Sequence, residues 1–175
     1  MGSVDGAFAE YGLAKANEWV PIPENLSFEA AASVKGGADS AWKALFSEGE
    51  LKSGQTVLIH AAAGGSGQYA ARLAKWKGAE VIGTASAAHL DFVKELGADQ
   101  VIDDTTTSFE TSVKDVDLVI DLAGGDTESR SWPVLKRGGT LVSLVRPPKV
   151  LKNTELQQNS IPAFRFAAIW KPSSA

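Results

Sequence analysis

The chain has 175 residues, of which 44% are hydrophobic and 22% charged, a composition suited to one soluble globular domain with a well-buried core. Its formal charge of −4 argues against a broad nucleic-acid-binding surface, and no run approaches the roughly 20 uninterrupted apolar residues that a membrane helix needs. The absence of cysteine excludes disulfides and thiolate metal sites, and His60 and His89 alone offer little for a metal, so no metal is expected; with no signal-like start, the expected location is the cytoplasm.

Residues 1–53 carry a proline-interrupted stretch, WVPIPENLSFEAAASV, followed by a broken helical pair for which Ser27 is a suitable N-cap. They read as a connector with part of another domain. From Thr56 onward, strand-length apolar runs alternate with amphipathic stretches, the pattern of a parallel sheet covered by helices. TVLIHA at 56–61 is the first strand; Tyr69, Ala70, Leu73, Ala74 and Trp76 recur at helical spacing; Gly78 ends that helix before a second strand, EVIGTA. A helix over 87–96 ends at Gly97, QVID is the third strand, VDLVIDLA the fourth, and 129–135 a further helix. A Gly138-Gly139 turn then leads into GGTLVSLV, the fifth strand. This rhythm predicts an α/β, doubly wound parallel sheet over residues 54–175, of the dinucleotide-binding Rossmann type and incomplete at its C-terminus. FRFAAIW, from Phe164 to Trp170, is a candidate edge strand whose exposed apolar edge invites pairing with a second copy, so a homodimer is expected.

The sharpest motif is HAAAGGSGQYAARLAK, in which Ala61, Gly64 and Gly67 keep the spacing AxxGxxG where a strand turns into a helix. A side chain at Gly64 would obstruct a pyrophosphate, Gly67 lets the helix pack on the sheet, and the free N–H groups of the first turn attract phosphate. The alternative is a tight turn without a ligand. Enzymes that use NAD usually carry a carboxylate at the end of the second strand, but no acid occurs between Val81 and Leu90. Thr84 and Ser86 could accept a 2′-phosphate, and His89 could add charge when protonated, which favours NADPH although the loop lacks arginine and lysine. Ser86 is also a natural helix N-cap.

With these residues in view, the chain resembles the zinc-independent quinone oxidoreductase branch of the medium-chain dehydrogenase/reductase superfamily. GAFAEY, PENLSFEAAAS, SAWKALF, LKSGQTVLIHAAAGGSG, FVKELGADQVID, DLAGGDT and VLKRGGTLVSL occur in that family's order and spacing. The resemblance implies hydride transfer from NADPH to an electron-poor small molecule such as a quinone or enone, without zinc, and makes residues 1–53 a remnant of a GroES-like catalytic domain. It places Ala63, Gly64, Gly65, Ser66 and Gly67 at the phosphates and Thr84 and Ser86 at the ribose phosphate. Ala123, Gly124, Ser143 and Leu144 come to border the ribose and nicotinamide. Ser40, in DSAW, falls where relatives carry threonine beside the nicotinamide; a helix-capping serine is the alternative. Asp103-Asp104-Thr105 departs from the Asp-Tyr-basic pattern of many relatives, and Leu90 stands where some place a lysine. The family's first roughly 80 to 100 residues, and roughly 60 at its C-terminus, are not represented, so an NADP(H)-binding module without turnover is the second functional reading.

Tyr11 and Lys15 match the YxxxK of short-chain dehydrogenases but precede the glycine loop instead of following it, so Tyr11 reads as connector packing. Gln68 and Tyr69 after Gly67 exclude a phosphate-binding P-loop, which needs lysine and a hydroxyl residue there. His60, Asp121 and the five tryptophans read as core or loop-shaping residues.

Overall fold

The computed structural model describes residues 9–13, 15 and 20–145. Five strands, β1 (Thr56–Ile59), β2 (Glu80–Ala85), β3 (Gln100–Asp103), β4 (Val116–Asp121) and β5 (Leu135–Ser143), form one sheet in the order β3-β2-β1-β4-β5. Every pairing is parallel. This is the doubly wound Rossmann arrangement, in which the strand order reverses between β1 and β4.

Side-chain alternation explains why the strands are apolar without a break. Val57, Ile59, Val81, Leu118, Ile120 and Val142 bury on one face, while Leu58, Ile82, Val119 and Leu141 bury on the other. Helices α1 (Phe28–Trp42), α2 (Gly67–Trp76) and α3 (Leu90–Glu95) cover the first face. Phe109, Val113 and Val134 close the second, the last from a short turn that follows α4 (Thr127–Ser131). Both faces are buried, so period-two polarity is absent.

Ser27 caps α1, its hydroxyl accepting from the Ala30 N–H at 3.2 Å. Residues assigned to the connector contribute Ala41, Ala44, Leu45 and Leu51 to the same core as Val57 and Ile59. The 129–135 helix is an α-turn from Thr127 followed by a 3-10 turn through Val134. The Gly138-Gly139 pair is not a turn ahead of β5 but lies inside it. Gly138 takes φ +87, and pairing jumps from Val116↔Leu135 to Leu118↔Thr140, so the extra residues bulge out of the ladder.

Two packing expectations fail. Tyr11 is 90% exposed and packs nothing away. Trp42 and Trp76 are 48% and 71% exposed and lie together with Phe46 on the surface, Trp42 meeting Phe46 edge-on at 4.7 Å. Helix α2 approaches the sheet through Ala70, Ala71 and Ala74, whose small side chains bring the two backbones close and leave Trp76 off the buried stripe. Trp132 packs, half-buried, against the second core. The segment from Phe164 to Trp170, and with it the dimer contact, lies outside the described residues. Among the described residues no helix is long and apolar enough to cross a membrane.

Candidate functional site

Strand order reverses between β1 and β4, and a doubly wound sheet has its ligand crevice at that point, beyond the C-terminal ends of the strands. One wall is the glycine loop. Ala61 enters it in the left-handed region at φ +52, and Gly64 N–H closes a turn onto the Ala61 carbonyl at 2.9 Å. A Cβ on Gly67 would lie 2.3 Å from the Ala61 oxygen and 2.7 Å from that of Ala62, so the helix start fits against the loop only as glycine. Ala63 is half-buried, Gly64 and Gly65 are exposed, and a Cβ on Gly65 would meet nothing within 4 Å. Ser66 stands at the N-cap of α2 but makes no side-chain cap, and the N–H groups of Gly65, Ser66 and Gly67 find no acceptor among the described residues. Helix α1 backs this wall, Gly37 allowing its backbone to meet the Gly65 carbonyl, where a Cβ would approach to 2.5 Å.

The second wall is the end of β2. Thr84 is 2% exposed and its hydroxyl faces the interior, so only its backbone borders the crevice. Ser86 has the extended backbone of an N-cap, yet its hydroxyl pairs with Nδ1 of His89 at 3.0 Å instead of capping the following turn. The pair is an accessible hydroxyl and imidazole side by side, with no carboxylate in residues 81–90.

Asp121, fully buried at the end of β4, builds the third wall. Its Oδ1 accepts from the N–H groups of Ala123 (3.0 Å) and Gly124 (2.8 Å), its Oδ2 accepts from the Ser143 hydroxyl (3.1 Å), and its carbonyl accepts from the Leu144 N–H (3.0 Å). The carboxylate thus fixes Ala123, Gly124 and Ser143, and the backbone of the same residue fixes Leu144, the fourth residue assigned to the ribose and nicotinamide side. The Ser143 hydroxyl is used up in doing so. Glu128, half-buried in the first turn of α4, has its carboxyl pushed above the usual range by burial and then by the Asp121 charge.

The sequence reading gave His60 no part in the site beyond packing. The residue is indeed buried, at 1% exposure, but both ring nitrogens are engaged: Nδ1 with Thr84 Oγ1 at 3.3 Å and Nε2 with Ser131 Oγ at 3.0 Å. The edge of Phe109 lies against its ring, with centroids 4.6 Å apart, and Arg130 sits over the same phenyl group while paired with Glu110 (NH2 to Oε2, 2.8 Å). Burial holds the imidazole down to about 4, Asp121 and Glu110 opposing the shift and Arg130 adding to it. A polar residue at the end of an otherwise apolar strand was the signal. Ser131, which no motif marks, was not legible.

Ser40 is not a helix cap, since it lies inside α1, and it stands about one turn beyond Gly37, where α1 touches the glycine loop. No three His, Asp or Glu side chains cluster in a way that could hold a metal ion among the described residues, and cysteine is absent from the sequence.

Comparison with known proteins agrees with this fold. The chain is 37% identical to a chloroplastic quinone-oxidoreductase homolog of Spinacia oleracea, over 83% of this chain and 47% of that protein. The quinone oxidoreductase from Coxiella burnetii superposes with a TM-score of 0.74 at 38% identity, covering 85% of this chain and 46% of that one. The CurK enoyl reductase gives 0.79 at 26% identity, covering 89% and 49%. The chain spans about half or less of the length of the curated relatives it matches. The zinc-binding dehydrogenase family model matches residues 65–163, and the chain belongs to that family, within the medium-chain dehydrogenase/reductase superfamily.

Proposed function

We propose that the chain is the dinucleotide-binding part of an NADPH-dependent reductase of the quinone or enone type. The uncapped start of α2, with its free N–H groups beneath the open Gly64-Gly65-Ser66 turn, carries this reading, because that arrangement suits a pyrophosphate. The backbone from Ala63 to Gly67 would hold the phosphates, the Ser86–His89 pair the 2′-phosphate, and the Asp121-fixed segments at Ala123, Gly124, Ser143 and Leu144 the ribose and nicotinamide. NADPH, when bound, supplies a hydride. The chain's own part is to bind and orient, with Ser40 a candidate contact to the nicotinamide or the substrate. Relatives named as quinone oxidoreductases and enoyl reductases support a small electrophilic acceptor. With no lysine or arginine between Val81 and Leu90, affinity for the 2′-phosphate should be modest.

The test is a fluorescence titration of the chain with NADPH and NADH, followed by NADPH oxidation with a panel of quinones and enones. Preferential NADPH binding with turnover is expected. Binding without turnover would favour a cofactor-binding module, and no binding would overturn the reading.

A further inference from the structure

His60 sits where the three crevice walls meet, and the protons on its hydrogen bonds can be placed by elimination. The Ser131 hydroxyl has one proton and donates it to the Thr127 carbonyl at 2.7 Å, so it can only accept from His60 Nε2–H. A neutral imidazole with its proton on Nε2 accepts at Nδ1, which calls for the Thr84 hydroxyl proton. That leaves a lone pair on Thr84 Oγ1 to accept the Ala61 N–H at 3.4 Å. The relay therefore runs in one direction, from the glycine loop through β2 and His60 to the start of α4. It holds Ala61, the loop residue whose φ of +52 is unfavourable for a side chain. His60, Thr84 and Ser131 are 1%, 2% and 0% exposed, and no buried side-chain polar atom among the described residues lacks a partner. Apolar residues of similar size could fill the same volume, but they would not fix the direction or the spacing of the three segments.

Resting on the NADPH reading above, we propose that His60 is a positioning residue for the cofactor. Through Thr84 it sets the end of β2, and with it Ser86, and through Ser131 it sets α4 behind the 122–126 loop, so the hydrogen-bonded polarity of the relay tunes affinity and NADPH selectivity.

The experiment measures NADPH and NADH dissociation constants and thermal midpoints for the 175-residue chain and four variants. Thr84→Val keeps shape and removes the hydroxyl, Thr84→Ser restores it, Ser131→Ala cuts the other arm, and His60→Leu cuts both. Thr84→Val should weaken NADPH binding by about tenfold and NADH binding by less, with Thr84→Ser returning to within about twofold. Ser131→Ala should weaken both nucleotides alike, by about fivefold. A purely structural role would lower the thermal midpoints and leave the NADPH-to-NADH ratio unmoved. If His60→Leu does not fold, the two threonine variants decide the matter. Unchanged ratios and affinities in folded variants, with normal binding by the parent chain, overturn the relay alone. Failure of the parent chain to bind NADPH overturns the relay and the cofactor reading together.

Discussion

The two loops that face each other across the crevice solve the same backbone problem in opposite ways. After β4, the Asp121 carboxylate sits beneath the turn and takes up the N–H groups of Ala123 and Gly124, so that loop is complete by itself. After β1, no side chain does this, and the N–H groups of Gly65, Ser66 and Gly67 have no acceptor among the described residues. One loop carries its own acceptor beneath the turn and the other does not, which is why the proposed phosphate contact falls on the second.

The largest effect should come from filling the closest contact of the glycine loop. Gly67→Val places a side chain against two backbone oxygens that cannot swing away, so the chain should lose about 3 kcal/mol of stability and all measurable NADPH binding. Gly65→Ala, by contrast, projects a methyl group into open space. Its unfolding free energy in urea should stay within about 0.5 kcal/mol of the parent while NADPH binding weakens. Equal losses of stability in the two variants would remove the distinction between a packed glycine and a ligand-facing one.

Emptying the fixed wall comes next. Asp121→Ala strands two partly buried N–H groups and the buried Ser143 hydroxyl and should cost about 3 kcal/mol in urea unfolding. Asp121→Asn, which keeps one acceptor oxygen, should cost about 1 kcal/mol. Equal costs would mean that the charge, not the acceptor geometry, holds the loop.

Most of this architecture could be read from residue pattern because it is local. The strands announced themselves as apolar runs between glycines, and the glycine loop by its spacing at a strand-to-helix junction. Partners distant in the chain were not legible. The link from His60 to Ser131 joins residues 71 apart in sequence, and nothing near Ser131 marks it. Thr84 was assigned to the cofactor from its place at the end of β2, but strand parity turns its hydroxyl inward. The burial of α1 with the sheet was also hidden, since a proline-rich approach resembles a linker whether or not the helix after it docks.

Acid should destabilise the fold through His60. His60 has its folded value depressed from 6.5 to about 4, so the unfolded chain takes up a proton first. At pH above 6.5 both states are neutral and nothing differs. As pH falls from 6.5 to about 4 the unfolded state gains, and roughly 3 kcal/mol of stability should be lost; below that the loss levels off. The carboxyl of Glu110, held low by Arg130, contributes stability above its unfolded value near 4.5 and loses it only at lower pH, so the two windows largely separate. Urea unfolding of His60→Asn, which cannot titrate there, should show a flatter profile between pH 6.5 and 4. A slope equal to that of the parent would show that His60 is not the group being protonated.

The smallest effect tests whether the fixed wall already carries as much negative charge as it can bear. Glu128 lies near Asp121 with its own carboxyl raised, so the folded state prefers it protonated and its ionised form is a burden at neutral pH. The sign is opposite to the usual carboxylate: relative stability is greatest at low pH and is lost as pH rises through the folded value. Glu128→Gln should therefore raise the thermal midpoint at pH 8 by an amount worth no more than about 0.5 kcal/mol, with the gain fading as the pH drops below the carboxylate range. Under the proposed NADPH reading the same substitution also removes a negative charge near a polyanion, so NADPH should bind slightly tighter, and less so at high salt. Tighter binding with no change in thermal midpoint would place the Glu128 charge at the ligand and not against Asp121, and the α4 side of the crevice would then act on the cofactor directly.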